Sequence, residues 1–399
     1  MSSRIDSVGH RQATSHASGP LVNALSRTLA RREAKSARRR LTVLPQDTID
    51  FSSNDFLSLG TSSVFRKRYL AHLNNAPESF AFASGGSRLL DGNSHYAEEL
   101  EQFVAEFHQA PSALLFNSGF DANVGVLSSI PQPGDMILYD ELIHASAHEG
   151  MRLSRAGKCI MFPHSSAAGM RDVLKAQIND DPGLRGGTKN VFVVLESIYS
   201  MDGDVAPIKE FIDVVDELLP RQNGYFMVDE AHSTGVFGPR GAGVVQELGL
   251  QDRMFIRVHT FGKALASHGA MVLCGRETKD YLINYARSLI YTTALGFPFL
   301  ASIRTAYELL STGETESVAA DKATTFNTTS SYAAAPSSRE SISAIRSRSF
   351  PNVPNLLITN IKTSTAGECL SAERVYSSRD YAAHHSGGQR AGSRLFAFW

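Results

Sequence analysis

Lys263 lies in Val258-His259-Thr260-Phe261-Gly262-Lys263-Ala264-Leu265, and small residues continue from Ala264 to Gly269. A lysine used as a nucleophile must be neutral and able to approach a carbonyl closely, so small neighbours on a loop at the end of an element suit it. An isolated Thr-Phe-Gly-Lys is ordinarily a surface turn. The stretch upstream changes that reading. Phe226-Met227-Val228-Asp229-Glu230-Ala231-His232 is a short apolar run that ends in an acid, with a histidine three residues later.

These residues need strands to place them. Phe226 to Asp229 and Met254 to Val258 read as two such strands, the first ending in the acid and the second ending near the lysine. That arrangement holds pyridoxal 5'-phosphate: the lysine forms the Schiff base, and the carboxylate keeps the pyridine nitrogen protonated so that the ring acts as an electron sink. Further strands are expected at Ala113 to Phe116, Met136 to Tyr139 and Val191 to Leu195, with helices at Tyr96 to Phe107, after Asn117-Ser118-Gly119-Phe120, and at Pro207 to Leu219. Strand and helix alternate over about 200 residues, which predicts an α/β fold with a mostly parallel central sheet flanked by helices. Ligands in such sheets bind beyond the C-terminal strand ends. Gly119, His144, Ser200, Asp229, His232 and Lys263 all fall just after expected strands, and that coincidence predicts one shared site. The strand, small-residue turn and helix start around Gly119 offer free backbone N–H groups to a phosphate. Any doubly wound sheet contains several such turns.

The rest of the chain sets bounds. Its 399 residues predict one large domain and a smaller one. Hydrophobic residues at 42% and charged residues at 20% are ordinary for a globular protein. A formal net charge of −1 gives no global field to recruit nucleic acid or an anionic membrane. Cys159, Cys274 and Cys369 follow no metal or redox spacing, which points to a reducing compartment. No apolar run reaches the roughly 20 residues of a membrane span. Residues 1–47 read as a polar lead-in followed by a basic helix over Leu21 to Leu41, whose charge run is either a solvated face or brings one arginine inward as a carboxylate clamp. Thr48 to Leu57 reads as a short strand entering an Asx-type turn. A large domain is expected over 48–310. From 311 to 399 the text turns rich in Ser, Thr and Ala without sustained period, and only Phe350 to Ile361 suggests a strand.

The ordered segments Asn54–Gly60 (NDFLSLG), Ser84–Gly92 (SGGSRLLDG), Asn117–Phe120 (NSGF), Asp140–Ser146 (DELIHAS), Ser200–Asp204 (SMDGD), Val228–Gly243 (VDEAHSTGVFGPRGAG) and His259–Ala270 (HTFGKALASHGA) carry a family resemblance. From about Leu29 to Leu310 the chain resembles the α-oxoamine synthases, a branch of the fold-type-I PLP-dependent transferases, and most of all the members that act in biotin biosynthesis. The resemblance implies that Lys263 forms the Schiff base and removes the Cα proton. It implies that Asp229 pairs with the pyridine nitrogen and that His144 stacks on the ring. His232 and Ser200 would reach the ring's oxygen substituent or nearby polar atoms. Gly119 and Phe120 would give backbone N–H groups, and Thr260 its hydroxyl, to the phosphate. Thr292 and Thr293 resemble a segment that reaches the phosphate across a homodimer interface, and Arg38 matches an arginine implicated in substrate binding. The implied reaction is decarboxylative condensation of an amino acid, L-alanine in the biotin branch, with an acyl-CoA, there a pimeloyl thioester. Related readings are a synthase using glycine and acetyl-CoA or a long-chain acyl donor, and a non-catalytic PLP-binding remnant. The absence of a membrane segment speaks against a sphingoid-base enzyme. A cytoplasmic location is expected, with peroxisome or mitochondrion as alternatives. The tail departs from the family pattern: Arg390 and Arg394 sit in no matching motif, so the C-terminal small domain reads as incomplete or degenerate. A misread exon boundary, a shifted frame or true divergence would each account for it.

Overall fold

The computed structural model describes residues 19–43, 45, 50, 52–78 and 80–315. They fall into two units, one ending at Asp50 and the other running from 52 to 315. In the first unit the helix is Pro20–Ala34, with proline at its first turn, where the missing N–H costs nothing. The helix expected to reach Leu41 stops early because Ser36 takes a φ of 53° and the Arg32 guanidinium turns back to the Ala37 carbonyl at 2.8 and 3.0 Å. Arg38 and Arg40 both pair with Glu33, so this basic run is a solvated face.

The second unit is built on seven strands: β1 Ser112–Phe116, β2 Met136–Asp140, β3 Lys158–Phe162, β4 Val191–Glu196, β5 Gly224–Asp229, β6 Met254–Thr260 and β7 Ala270–Cys274. They form one sheet in the order β1-β7-β6-β5-β4-β2-β3. Only β7 runs against its neighbours, pairing antiparallel with both β1 and β6. The sheet is therefore mostly parallel, as expected. β3 and β7 were not anticipated. β7 is an unbroken apolar run, Ala-Met-Val-Leu-Cys, between Gly269 and Gly275, and the small residues before it masked the strand.

Period-two alternation assigns the faces. Val191, Val193 and Leu195 of β4 pack into a cluster with Met170 and Leu174 of the helix Ala167–Asp180 and with Phe211 and Val215 of Ile208–Leu218. Phe192 and Val194 join the opposite cluster, with Ala122 and Val126 of Gly119–Ser129 and Ala147 and Met151 of Ala145–Arg152. Burial on both faces explains why β4 is apolar throughout. A third cluster joins Ala113 and Leu115 of β1, and Met271 and Leu273 of β7, to the helices His95–Phe107 and Phe297–Thr312.

Residues 52–57 are bends and turns, not the expected strand, and the Asp55 carboxylate takes the amides of Leu59 and Gly60. The rest of that expected strand is Asp50 and positions outside the described residues. The boundary expected at 310 falls in the last turn of Phe297–Thr312, which closes on Gly313 at a φ of 75°. The lead-in before residue 19, the Phe350 to Ile361 strand and the small domain expected beyond 315 lie outside the described residues. Among those described, no helix is long and apolar enough to cross a membrane.

Candidate active site

β5 and β6 lie side by side and parallel, so their C-terminal ends share one edge. β5 ends on Asp229, a buried residue. The turn that follows brings His232 back toward β6, and Lys263 Nζ lies 2.8 Å from His232 Nε2. Beyond β6 the chain must reverse within a few residues to enter β7. The Phe261 amide donates to the Gly269 carbonyl and the Ser267 amide to the Phe261 carbonyl, which closes that loop. Gly269 at a φ of 101° makes the turn possible, since a side chain there would strike Leu295 and the Phe116 carbonyl. The small residues around Lys263 are thus a requirement of the reversal as well as an approach to the amine.

Asp229 has two hydrogen-bond donors. Its Oδ1 accepts the Ala231 amide at 2.9 Å and its Oδ2 accepts Asn123 Nδ2 at 2.7 Å. Asn123 is buried on the helix Gly119–Ser129 and also donates to Ser146 Oγ at 2.9 Å. Ser146 in turn meets His144, which caps the helix Ala145–Arg152: its Nδ1 lies 2.7 Å from Ser146 Oγ and accepts the Ser146 amide. His144 and Asp229, from different strand ends, are therefore joined through two side chains.

A second carboxylate stands beside them. Glu196 ends β4 in register with Asp229 and is 3% exposed. Burial and the neighbouring Asp229 charge push its acid well above the usual carboxylate range. Burial lowers the Lys263 ammonium against the opposing pull of Asp229 and Glu196, the direction a nucleophilic lysine requires. Burial, then the Lys263 charge, then His144 bring His232 down to about 3, and burial also lowers His144. His232 is therefore neutral at physiological pH, and the exposed His144 is shifted in the same direction.

The other end of the site is the start of the helix Gly119–Ser129. Ser118 caps it through the Asp121 amide and accepts the Ala122 amide on its carbonyl, which leaves the Gly119 and Phe120 amides without an intrahelical partner. Thr260 stands opposite: a Cβ at Gly119 would lie 3.2 Å from Thr260 Cβ and 3.3 Å from Oγ1. Glycine leaves that cradle open. Asn117 Nδ2 holds Thr292 Oγ1 at 3.2 Å and the Thr293 carbonyl at 2.7 Å, so this segment lies beside the same strand end.

The site thus gathers Lys263, His232, Asp229 and His144, and sets Gly119, Phe120 and Thr260 around the helix start, with Thr292 and Thr293 held by Asn117 just beyond β1. Ser200 lies in the turn closed by the Ile198–Val205 bridge, and among the described residues no hydrogen bond links its side chain to the others. Ser197 is the serine held against the Asp229 turn, through Ser233 Oγ at 2.9 Å and the Asp229 carbonyl. Arg38 belongs to the first unit, where it pairs with Glu33. Asn123, Ser146 and Glu196 were not anticipated. A signal existed for each: Asn123 interrupts an apolar helix face, Ser146 follows His144 by two, and Glu196 ends a strand as Asp229 does.

These groups fit pyridoxal phosphate. The open cradle at Gly119, between unpaired amides and a hydroxyl, suits a phosphate, and the depressed lysine beside a strand-end carboxylate suits an aldehyde and a pyridine nitrogen.

Comparison with known proteins agrees. Residues 46–324 match the family model described as aminotransferase class I and II. The chain is 73% identical over 296 residues to 8-amino-7-oxononanoate synthase of Emericella nidulans, covering 74% of this chain and 72% of that one. It is 46% identical over 270 residues to aminoacyl transferase sphA of Aspergillus fumigatus, covering 68% of this chain and 57% of that protein's length. Among solved structures, serine palmitoyltransferase of Sphingomonas wittichii superposes with a TM-score of 0.63 at 25% identity, over 73% of each chain. 8-Amino-7-oxononanoate synthase of Francisella tularensis superposes with a TM-score of 0.53 at 27% identity, over 67% of this chain and 70% of that one. A lysine, a carboxylate and a helix start at one edge of a mostly parallel sheet, together with these matches, mark the chain as a PLP-dependent acyltransferase that belongs to the aminotransferase class I and II family, in its α-oxoamine synthase branch.

Proposed function

We propose that the chain condenses L-alanine with pimeloyl-CoA, releasing CoA and carbon dioxide and forming 8-amino-7-oxononanoate. The identity to the Emericella nidulans synthase supports that pair of substrates. The observation that carries the chemistry is the half-buried Lys263 amine, 2.8 Å from the neutral His232 and beside the Asp229 strand end.

Bound pyridoxal phosphate supplies the electron sink for the pair left when the Cα–H bond breaks. Lys263 Nζ, kept toward its neutral form by burial, takes that proton and later returns it. His232 Nε2, 2.8 Å from Nζ, shares a hydrogen bond with the amine and so orients it. Asp229 holds the pyridine nitrogen, and its contacts to Asn123 and Ala231 keep the carboxylate from turning away. His144 would lie against the ring, its pKa lowered by desolvation so that it brings little competing positive charge. The Gly119 and Phe120 amides and the Thr260 hydroxyl hold the phosphate. Thr292 and Thr293 reach the phosphate of a second copy, which makes the working unit a homodimer.

CoA release is the test, read as free thiol with three substrate pairs: L-alanine with pimeloyl-CoA, glycine with acetyl-CoA, and L-serine with palmitoyl-CoA. The first pair is expected to react fastest. Preference for another pair would assign the chain a different α-oxoamine synthase activity. Cofactor binding without thiol release from any pair would make it a non-catalytic binder.

A further inference from the structure

The proton on His144 has two places to sit, and the hydrogen bonds behind the ring decide between them. His144 Nδ1 accepts the Ser146 backbone N–H at 3.2 Å and lies 2.7 Å from Ser146 Oγ. A hydroxyl faces a ring nitrogen either as donor to a bare nitrogen or as acceptor from an N–H. The backbone N–H already favours a bare Nδ1, and the direction of the Ser146 hydroxyl, set one residue further back, either reinforces or opposes it. Asn123 Nδ2 lies 2.9 Å from Ser146 Oγ and 2.7 Å from Asp229 Oδ2, while Asn123 Oδ1 is buried and has no hydrogen-bond partner among the described residues. Turning that amide over would set its oxygen against the Asp229 oxygen, acceptor to acceptor, so the network fixes its NH2 toward both neighbours. Ser146 Oγ then receives a hydrogen from Asn123 and gives its own to His144 Nδ1.

We infer that Asn123 and Ser146 are positioning residues that transmit the acceptor character of Asp229 to His144 and hold its imidazole as the Nε2–H tautomer. Asn123 and Ser146 are 2% and 0% exposed, so water does not compete for these bonds. Desolvation lowers the pKa of His144 and so favours the neutral ring, although the residue stands exposed at the helix start, and the tautomer is a property of that neutral form. The outer nitrogen of His144 is consequently a donor, and the group it meets on the substrate side is an oxygen acceptor. That consequence rests on the proposed role of His144 at the cofactor; the order of the hydrogen bonds does not.

The test reads the tautomer directly, by long-range proton–nitrogen correlation on the full, nitrogen-15-labelled chain without cofactor, with His144→Gln to assign the signals. Wild type should show a protonated Nε2 and a bare Nδ1. Asn123→Asp reverses the relay. Whichever of the paired carboxyls holds a shared proton, the oxygen facing Ser146 has no hydrogen left for it and only accepts. The hydroxyl then turns round, and the ratio of Nε2–H to Nδ1–H should fall by about tenfold, the scale of one hydrogen bond. In Asn123→Asp/Ser146→Ala the carrier is gone, and the backbone donor should restore Nε2–H. A wild-type chain with Nδ1–H overturns the inference, as does an unchanged ratio in a folded Asn123→Asp chain or a reversal that survives loss of Ser146. Should Asn123→Asp not fold, the wild-type tautomer and its retention in Ser146→Ala decide. Nε2–H in a chain that releases no CoA keeps this inference and removes the proposed activity; Nδ1–H in an active chain does the opposite.

Discussion

Asp229→Asn removes a charge while keeping the side-chain shape, and the structure says what that does before any cofactor binds. The native carboxylate accepts two donors, the Ala231 amide at 2.9 Å and Asn123 Nδ2 at 2.7 Å. An amide has one acceptor atom, so its NH2 must face one of them. Facing Ala231, it opposes a fixed backbone N–H. Facing Asn123, it forces that amide to turn and puts its NH2 where Oδ1 now has no partner. Either outcome strands a buried donor, at about 1–3 kcal/mol. Denaturant unfolding of the cofactor-free chain, followed by circular dichroism, should show that loss. Asn123→Ala should relieve part of it, so the double variant should cost less than the sum of the singles. In the loaded enzyme the missing charge adds a second effect, a fall in CoA release of roughly 10²–10³-fold, the range for removing one preorganised electrostatic partner. Unchanged stability together with strict additivity would refute the placement of the two hydrogen bonds. Equal losses in cofactor binding and turnover would make Asp229 a structural residue.

Three further outcomes are expected. Gly119→Ala puts a methyl group 3.2 Å from Thr260 Cβ, which should cost the cofactor-free fold about 1–3 kcal/mol by overpacking, and fills the cradle, so that cofactor binding should weaken by about tenfold; equal affinity in a spectral titration would contradict the cradle. His164 bridges Asp140 at 2.7 Å and Asp204 at 3.0 Å; burial opposes its charge, but the two carboxylates outweigh burial and raise its pKa. Its stabilisation is therefore complete below the unfolded value of about 6.5 and lost as pH rises through the folded one, so the gap in Tm between wild type and His164→Gln should narrow toward alkaline pH, and a gap that widens would contradict the bridge. Mixing Lys263→Ala chains with Thr292→Ala/Thr293→Ala chains should restore part of the activity if the phosphate contact crosses a dimer; sedimentation of the loaded protein as a monomer would remove that reading.

Chemistry at strand ends was legible in the sequence, because an apolar run that stops at Asp229 or before Lys263 announces both the strand and the exposed edge. The same logic found Gly119 and His144. Residues inside elements were hidden. Asn123 lies on a helix face that otherwise reads as core, and nothing in the order of residues says that it meets Asp229, 106 positions away. Glu196 looks like the end of a strand until the register pairs it with Asp229. β7 was lost because the glycines and alanines that let the chain reverse after Lys263 read as loop, although the five residues behind them are all buried. Below the sheet edge a polar cluster, with His259 Nδ1 2.9 Å from Thr234 Oγ1 and its ring against His108, gave no signal at all, since its members come from distant segments. The Leu21 to Leu41 helix was overrun for a local reason: its basic pattern continues past Ser36, but the backbone does not.

The most direct test of the account is the identity of the lysine that carries the cofactor. The full chain loaded with pyridoxal phosphate is reduced with borohydride, digested and analysed by mass spectrometry. The depressed amine at the end of β6 predicts a pyridoxyl phosphate adduct on the peptide containing Lys263, and none on that site in Lys263→Ala. An adduct formed specifically on another lysine, or a native chain that gives none, would contradict it.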